Sequence, residues 1–289
     1  MQNIYAWSGL GRPLTYKWLS HRLLFISLLF AFLVAGGMYL YTYQEGAGSA
    51  AAFGLSIGLA VFFSWAITRE LDPDSGWAAF LAIGLASVAL WFWPYPLVKL
   101  LFLILMLLRL MNRSTGIAAK IPDVILILAL TGWLLWEEQL IAGVFATLAL
   151  WSNGRLPNPQ HSHKFLALAV GLATILAFLQ YPAQRIPNEL SIWVNISIIT
   201  TATGFALYSR QLKSIKSTAD ATEQPLSLIR LRAAQLVTLL VVTVFSLWYG
   251  DWFFKQVVTI WATFAAVFLY AAFNYRSSFK NHPNKNIRS

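Results

Sequence analysis

The chain contains no cysteine among its 289 residues, which excludes disulfides, thiolate metal sites and cysteine nucleophiles. Charge is scarce as well: charged residues make up 11% of the sequence, against roughly 25% in soluble domains. There are 11 acidic residues and four histidines, and all four histidines fall in hydrophilic segments that the charge pattern below places inside. A histidine-rich metal cage within the apolar spans is thereby excluded. Also missing are a Walker A loop, GxSxG, HExxH and the Asp-x-x-Asp-Gly run of phosphatidyl-alcohol transferases. Membrane aromatic prenyltransferases carry two Asp-rich motifs, one in each half, whereas this chain has a single acidic cluster.

Apolar residues dominate, at 58%. They fall into ten spans, approximately 23–43, 49–68, 77–93, 97–111, 124–136, 140–152, 165–181, 190–209, 233–250 and 252–273. The gaps between them alternate in charge. Of the 21 Lys and Arg residues, only Lys99, Arg185 and Lys255 fall in one set of gaps, and all the others fall in the second set. Short loops rich in Lys and Arg stay cytoplasmic, so both termini and every basic loop are expected inside. The expected class is an all-α, polytopic transmembrane bundle in a cell inner membrane. Residues 1–22 form a cytoplasmic or interfacial segment, 23–273 the transmembrane domain, and 274–289 a basic cytoplasmic tail. The first span is read as a retained helix rather than a cleaved signal, because its apolar run is longer than a signal core.

The net charge of +10 needs no nucleic-acid partner, since orientation and anionic headgroups account for it. The expected partners are membrane lipids, anionic at the cytoplasmic face. The Gly54/Gly58 spacing permits close helix contact, within the chain, in an oligomer or with a membrane-complex partner. Tryptophan supports the span assignment, because its amphipathic ring prefers the headgroup level and only Trp261 falls clearly mid-span. The third to sixth spans are short: 15 residues cover about 22 Å, against a hydrocarbon core near 30 Å. An eight-helix arrangement, with one hairpin in 97–152 failing to cross, is the alternative. Gly250-Asp251 reads as a helix stop followed by an N-cap, and 217–227 as the single polar linker. Glu137 and Glu138 read as a solvated turn, and His161-Ser162-His163 as a solvated loop.

Candidate chemistry concentrates in three inner loops. The first holds Arg69, Glu70, Asp72 and Asp74; the second Arg109, Asn112 and Arg113, with Asp123 following; the third Asn153 and Arg155. Glu70, Asp72 and Asp74 supply oxygens of the kind Mg²⁺ or Ca²⁺ prefers, so Mg²⁺ is the cofactor of an enzyme reading. The arginines suit a phosphate or carboxylate. In residue type, the set resembles a site for a phosphorylated ligand at the membrane surface. The same residues also serve as turns, helix caps and topology signals. Within the spans, Asn195 stands out because an amide in lipid needs a partner. No ionisable residue lies near the middle of a span, which removes the usual relay of an acid-gated carrier.

Length, ten spans and inward termini are similar to the drug and metabolite exporter superfamily in topology alone, with no shared motif, and that similarity implies transport. The expected functions are transport or handling of a small molecule or lipid, a divalent-cation enzyme acting on lipid phosphates or isoprenoids, or a non-catalytic scaffold or assembly subunit. A reporter active only in the cytoplasm is expected to work when fused after Arg210 or Ser289, and to fail near Pro94 or at Gly250. Activity at Gly250 would overturn the topology of the second half.

Overall fold

The computed structural model describes residues 3–14, 16–181 and 189–280. Among these residues the chain is helical apart from an isolated β-bridge between Thr218 and Pro225. The helices are α1 (Asn3–Trp7), α2 (Leu19–Tyr43), α3 (Ala47–Leu71), α4 (Gly76–Phe92), α5 (Val98–Asn112), α6 (Ile121–Trp136), α7 (Leu140–Asn153), α8 (Ser162–Gln180), α9 (Ile192–Gln211), α10 (Leu228–Gln256) and α11 (Val258–Lys280). Five of them, α2, α3, α8, α9 and α10, are long and apolar enough to cross a membrane, and α4, α6, α7 and the Val258–Asn274 part of α11 are shorter apolar helices. This is the build of a membrane-embedded protein. Arg185, Pro182 and the tail beyond Lys280 lie outside the described residues.

The arrangement is centred on α5. Its sequence, Leu-rich on every side, buries all but Val98, Lys99, Phe102 and Arg109, as expected of a helix that is apolar all round. Around it pack α3, α6, α7 and α10; α11 lies against α3, α4 and α9, while α8 lies mainly against α7. The central helix, with only 15 residues, is also one of the shortest. Polar groups at its ends therefore come close to the deeply packed middle of the protein.

Several boundaries differ from those read in the sequence. Helix α3 continues to Leu71, carrying Glu70 within its last turn, and α10 starts at Leu228, which places Arg230 and Arg232 inside a helix. The stop at Gly250 is real: its φ of 65° is a conformation open to glycine and breaks the helix there. Asp251, however, does not cap its own helix. Its carboxylate accepts the Ser191 N–H at 2.9 Å, at the start of α9, and its N–H donates to Glu189 O. Glu137 is engaged rather than merely solvated, for it accepts from Lys99 and from Trp133 Nε1. Lys99 also lies 4.5 Å from the Trp133 ring centroid.

Hydroxyls within the spans largely close on their own backbone. Thr131, Thr174 and Thr238 each donate to the carbonyl four residues earlier, which removes the cost of an unpaired donor. Trp261, buried at mid-helix, donates Nε1 to Ser246 Oγ at 3.1 Å. Asn195 is half-buried in the first turn of α9, close to the helix end.

Helix α2 packs through small residues onto α3 and buries only Leu24 and Gly36. A Cβ on Gly54 would stand 2.6 Å from Phe32 O, and one on Gly36 would stand 3.1 Å from Ala50 O. Gly37, one position along, has nothing within 4 Å. Gly54→Val is therefore expected to cost about 1–3 kcal/mol by forcing the helices apart. Gly37→Ala should be neutral, or stabilising by up to about 1 kcal/mol through helix propensity. Thermal unfolding of both variants in detergent separates the two, and equal midpoints would sink the close-contact account.

Candidate functional site at the basic pole

Glu70 is the buried carboxylate around which this end of the bundle is organised. It is 1% exposed. Oε1 accepts from Arg12 Nη1 at 3.0 Å, from Arg109 Nε at 3.2 Å and from Ser114 Oγ at 3.2 Å. Asn112 Nδ2 donates to the Glu70 carbonyl at 2.7 Å and reaches Oε2 at 3.4 Å. A charge this deep is tolerable only with paired counter-charges and hydrogen bonds, and it has both. Arg12 comes from the segment before α2, and its remaining donors make a two-pronged contact with Asp220, on the linker before α10. Burial weakens the positive charge of Arg12, but Glu70 and Asp220 outweigh it and hold the guanidinium protonated above its ordinary range.

The N-terminal segment is docked onto this cluster. Asp123 accepts from Ser8 Oγ at 2.5 Å, Gly9 N at 2.7 Å and Lys120 N at 2.8 Å, so one side chain both caps α6 and fastens residues 8–9. Lys120 Nζ donates to the Tyr5 and Ala6 carbonyls at the end of α1, and Arg109 Nη1 to Leu10 O at 3.2 Å. Gly9 must be glycine here, because a Cβ would lie 2.1 Å from Ala118 O.

The linker of residues 212–227 is docked as well. Asp74 accepts the Lys216 N–H at 2.9 Å, the Ser217 N–H at 2.8 Å and the Ser217 hydroxyl at 2.7 Å. Partial burial disfavours its charge, but these donors win and hold the carboxyl below its ordinary value. Backbone bonds from Asp220 to Ser114 O and from Ala221 to Thr115 O fix the tip of this strap against the α5–α6 loop.

The three acidic residues of the first loop therefore part company. Glu70 faces arginines and Asp74 faces the strap. Asp72 is 2% exposed, and burial pushes its carboxyl above the ordinary range despite hydrogen bonds from Ser75 and Tyr208. Its Oδ2 has no hydrogen-bond partner among the described residues. No group of three His, Asp or Glu residues that could hold a metal ion occurs among the described residues.

The third loop forms a separate network. Asn153 is fully buried, donates to His163 Nδ1 at 2.8 Å and accepts from Arg230 Nη1 at 3.0 Å. Arg230, 3% exposed, also donates to the Met111 and Pro157 carbonyls, at 2.7 Å and 2.8 Å for its shortest contacts. The carbonyl end of α5 thus supplies negative potential where no carboxylate does. His163 is accordingly a buried partner, while His161 stays exposed. Arg155 points elsewhere, stacked 4.4 Å from the Trp151 ring. Arg113 ends α5 in a left-handed conformation and is partly exposed.

Two cavities meet at this pole. One, of about 310 Å³ beneath the strap, is lined by Arg12, Arg69, Glu70, Asn112, Ser114 and strap residues from Lys216 to Ser227. The other, of about 840 Å³, runs from Arg12, Arg69 and Arg109 to an apolar wall that includes Trp18, Phe62, Trp65, Trp77, Phe80 and Phe102. Among the described residues Arg69 makes one hydrogen bond, Nη1 donating to Pro73 O at 3.0 Å. Sequence reasoning reached Arg69, Glu70, Arg109 and Asn112 but missed Arg12, Asp220, Ser114 and Arg230. Comparison with protein-family models, curated proteins and solved structures gives no match.

Glu70→Gln is expected to cost about 3 kcal/mol or more, because it removes the charge that Arg12 and Arg109 share and leaves Arg109 without an ion-pair partner among the described residues. Lys99→Ala breaks an exposed pair at the opposite pole and should cost under about 1 kcal/mol. Chemical or thermal unfolding of the two variants tests the difference, and a Glu70→Gln protein as stable as Lys99→Ala would remove Glu70 from its organising place.

Proposed function

We propose that this chain is a multi-pass inner-membrane protein of about ten spans, with its basic loops in the cytoplasm, that binds and handles an anionic amphiphile at its cytoplasmic pole. The observation that carries this reading is the 840 Å³ cavity, whose charge and apolarity are segregated. Guanidinium groups at one end suit a phosphate or carboxylate, and the aromatic wall suits a hydrocarbon chain. Its size falls within the range of small-molecule pockets. Arg12 and Arg109 pair with Glu70 and Asp220, while Arg69 enters no ion pair among the described residues and its neighbour Asp72 is pushed by burial toward the neutral form.

Handling or transport is favoured over metal-assisted chemistry because Glu70 and Asp74 are already committed to arginines and to the strap. Residue types alone put transport first with the enzyme as an alternative, and the partners of these carboxylates favour the first. The ten-span reading draws support from the short helices α4 to α7, which pack side by side with the longer ones rather than lying apart from them.

Trp18, Trp65 and Trp77 line the cavity and give a direct optical readout. Lysophosphatidic acid is expected to change tryptophan fluorescence at concentrations about tenfold or more below those needed for the uncharged monoacylglycerol of equal chain length. Arg69→Ala, which removes a guanidinium that makes one hydrogen bond among the described residues, should weaken lysophosphatidic acid binding about tenfold and leave the neutral amphiphile unaffected. Equal binding of both amphiphiles by the unaltered protein would refute the proposal.

A further inference from the structure

Helices α2 and α3 enclose a third hollow, a groove of about 810 Å³ along the outer flank of their contact. It runs from Arg22 to Phe32 on α2, a rise of about 15 Å, with Leu55, Leu59 and Phe62 of α3 as the facing wall. Ile26, Leu29 and Leu55 in this lining are exposed, and both helices are long and apolar enough to cross a membrane. Water does not enter the hydrocarbon layer, so a groove open on that side is filled by hydrocarbon chains.

The end nearest the basic pole differs chemically from the rest. Arg22 is exposed there and makes one hydrogen bond among the described residues, Nε donating to Tyr16 O at 2.6 Å. That contact leaves both Nη groups to an outside partner. The Tyr16 ring stacks on Phe25 with centroids 4.5 Å apart, which brings a phenol hydroxyl to the same end of the groove. No carboxylate is present in the lining to neutralise Arg22. An unneutralised cation at headgroup level, continuous with an apolar trough, matches an anionic head joined to an acyl chain.

We infer that this groove seats an anionic phospholipid of the surrounding bilayer, with its phosphate on Arg22 and Tyr16 and one acyl chain laid between α2 and α3. A soluble anion has nothing to place against the stretch from Ile26 to Phe32. Phosphatidylglycerol carries a net negative charge and phosphatidylcholine none, so Arg22 favours the first while the trough accepts the chains of both. The seat is separate from the amphiphile cavity. Arg12, Arg69 and Arg109 do not line it, and Phe62 is the one lining residue common to the two. Because α2 buries only Leu24 and Gly36, a lipid here also supplies packing that the protein itself does not give this helix.

The experiment places the full-length protein in bilayers containing phosphatidylglycerol or phosphatidylcholine with the same diazirine-bearing acyl chain, and maps the photo-adducts by peptide mass spectrometry. Phosphatidylglycerol is expected to label residues 22–32 and 55–62 about fivefold more than phosphatidylcholine does. Arg22→Gln should remove that excess and keep the phosphatidylcholine level, whereas Leu29→Trp, at an exposed position of the lining, should fill the groove and lower both. Arg69→Ala should leave the labelling unchanged, which separates this seat from the amphiphile cavity. Equal labelling by the two lipids, an excess that survives Arg22→Gln, or labelling no denser than on the exposed Phe165, Leu168 and Leu172 of α8 overturns the inference. The chain has no cysteine, so Leu29→Cys creates a unique thiol. Efficient disulfide formation between two copies at that position would give the groove to a second chain and likewise overturn the lipid seat.

Discussion

A carboxylate that is 1% exposed on the last turn of a long apolar helix is the constraint that orders the basic pole. Glu70 is bound to find cations, because an isolated buried charge would cost several kcal/mol. It finds them in two places far apart in the chain, Arg12 before the first long helix and Arg109 at the end of the central one. Arg12 in turn engages Asp220 after α9. The segment before α2 and the strap are thereby held against the ends of α3 and α5, which already pack together, and the two cavities lie beside this junction.

Helix length explains why polarity gathers there. The central α5, α6 and α7 have only 14 to 16 residues. At 1.5 Å per residue they are about 21–24 Å long, so the loops that follow bring amides, hydroxyls and charges close to the core. Asn112, Asn153 and Arg230 are buried at this level: Asn112 donates to the Glu70 carbonyl, Asn153 meets Gln160, His163 and Arg230, and Arg230 donates to the Met111 and Pro157 carbonyls. At the opposite pole, Lys99, Glu137 and Trp133 meet in a more exposed cluster.

Much of this organisation is legible in the sequence, for identifiable reasons. Ionised groups are costly at mid-span, so loop charges stand out, and the loops holding Glu70, Arg109 and Asn112 are conspicuous as local runs. The Gly250 stop and the small-residue face at Gly54 follow from backbone geometry alone. Pairing across the chain is not legible. Arg12 looks like any positive-inside residue, Asp220 like part of a solvated linker, and Arg230 like a loop cation, because a single sequence does not reveal which distant residue a charge will meet. The opposite error arises at Asp72-Pro73-Asp74. Adjacency there suggests one shared site, whereas the turn after Leu71 sends neighbouring carboxylates to Tyr208 and to the strap.

The 208 residues separating Arg12 from Asp220 also set an order for biosynthesis. Chains emerge N-terminal end first, and helices insert as they are made. Arg12 and Glu70 are thus available early, Arg109 later, and Asp220 only after α9 has been completed. Until the strap arrives, the cleft beside Arg12 lacks the cover that Asp220 and its neighbours give it. The piece that covers this cleft is therefore made after the parts it covers, so a nascent chain arrested before residue 220 would leave the Arg12 guanidinium without its Asp220 partner.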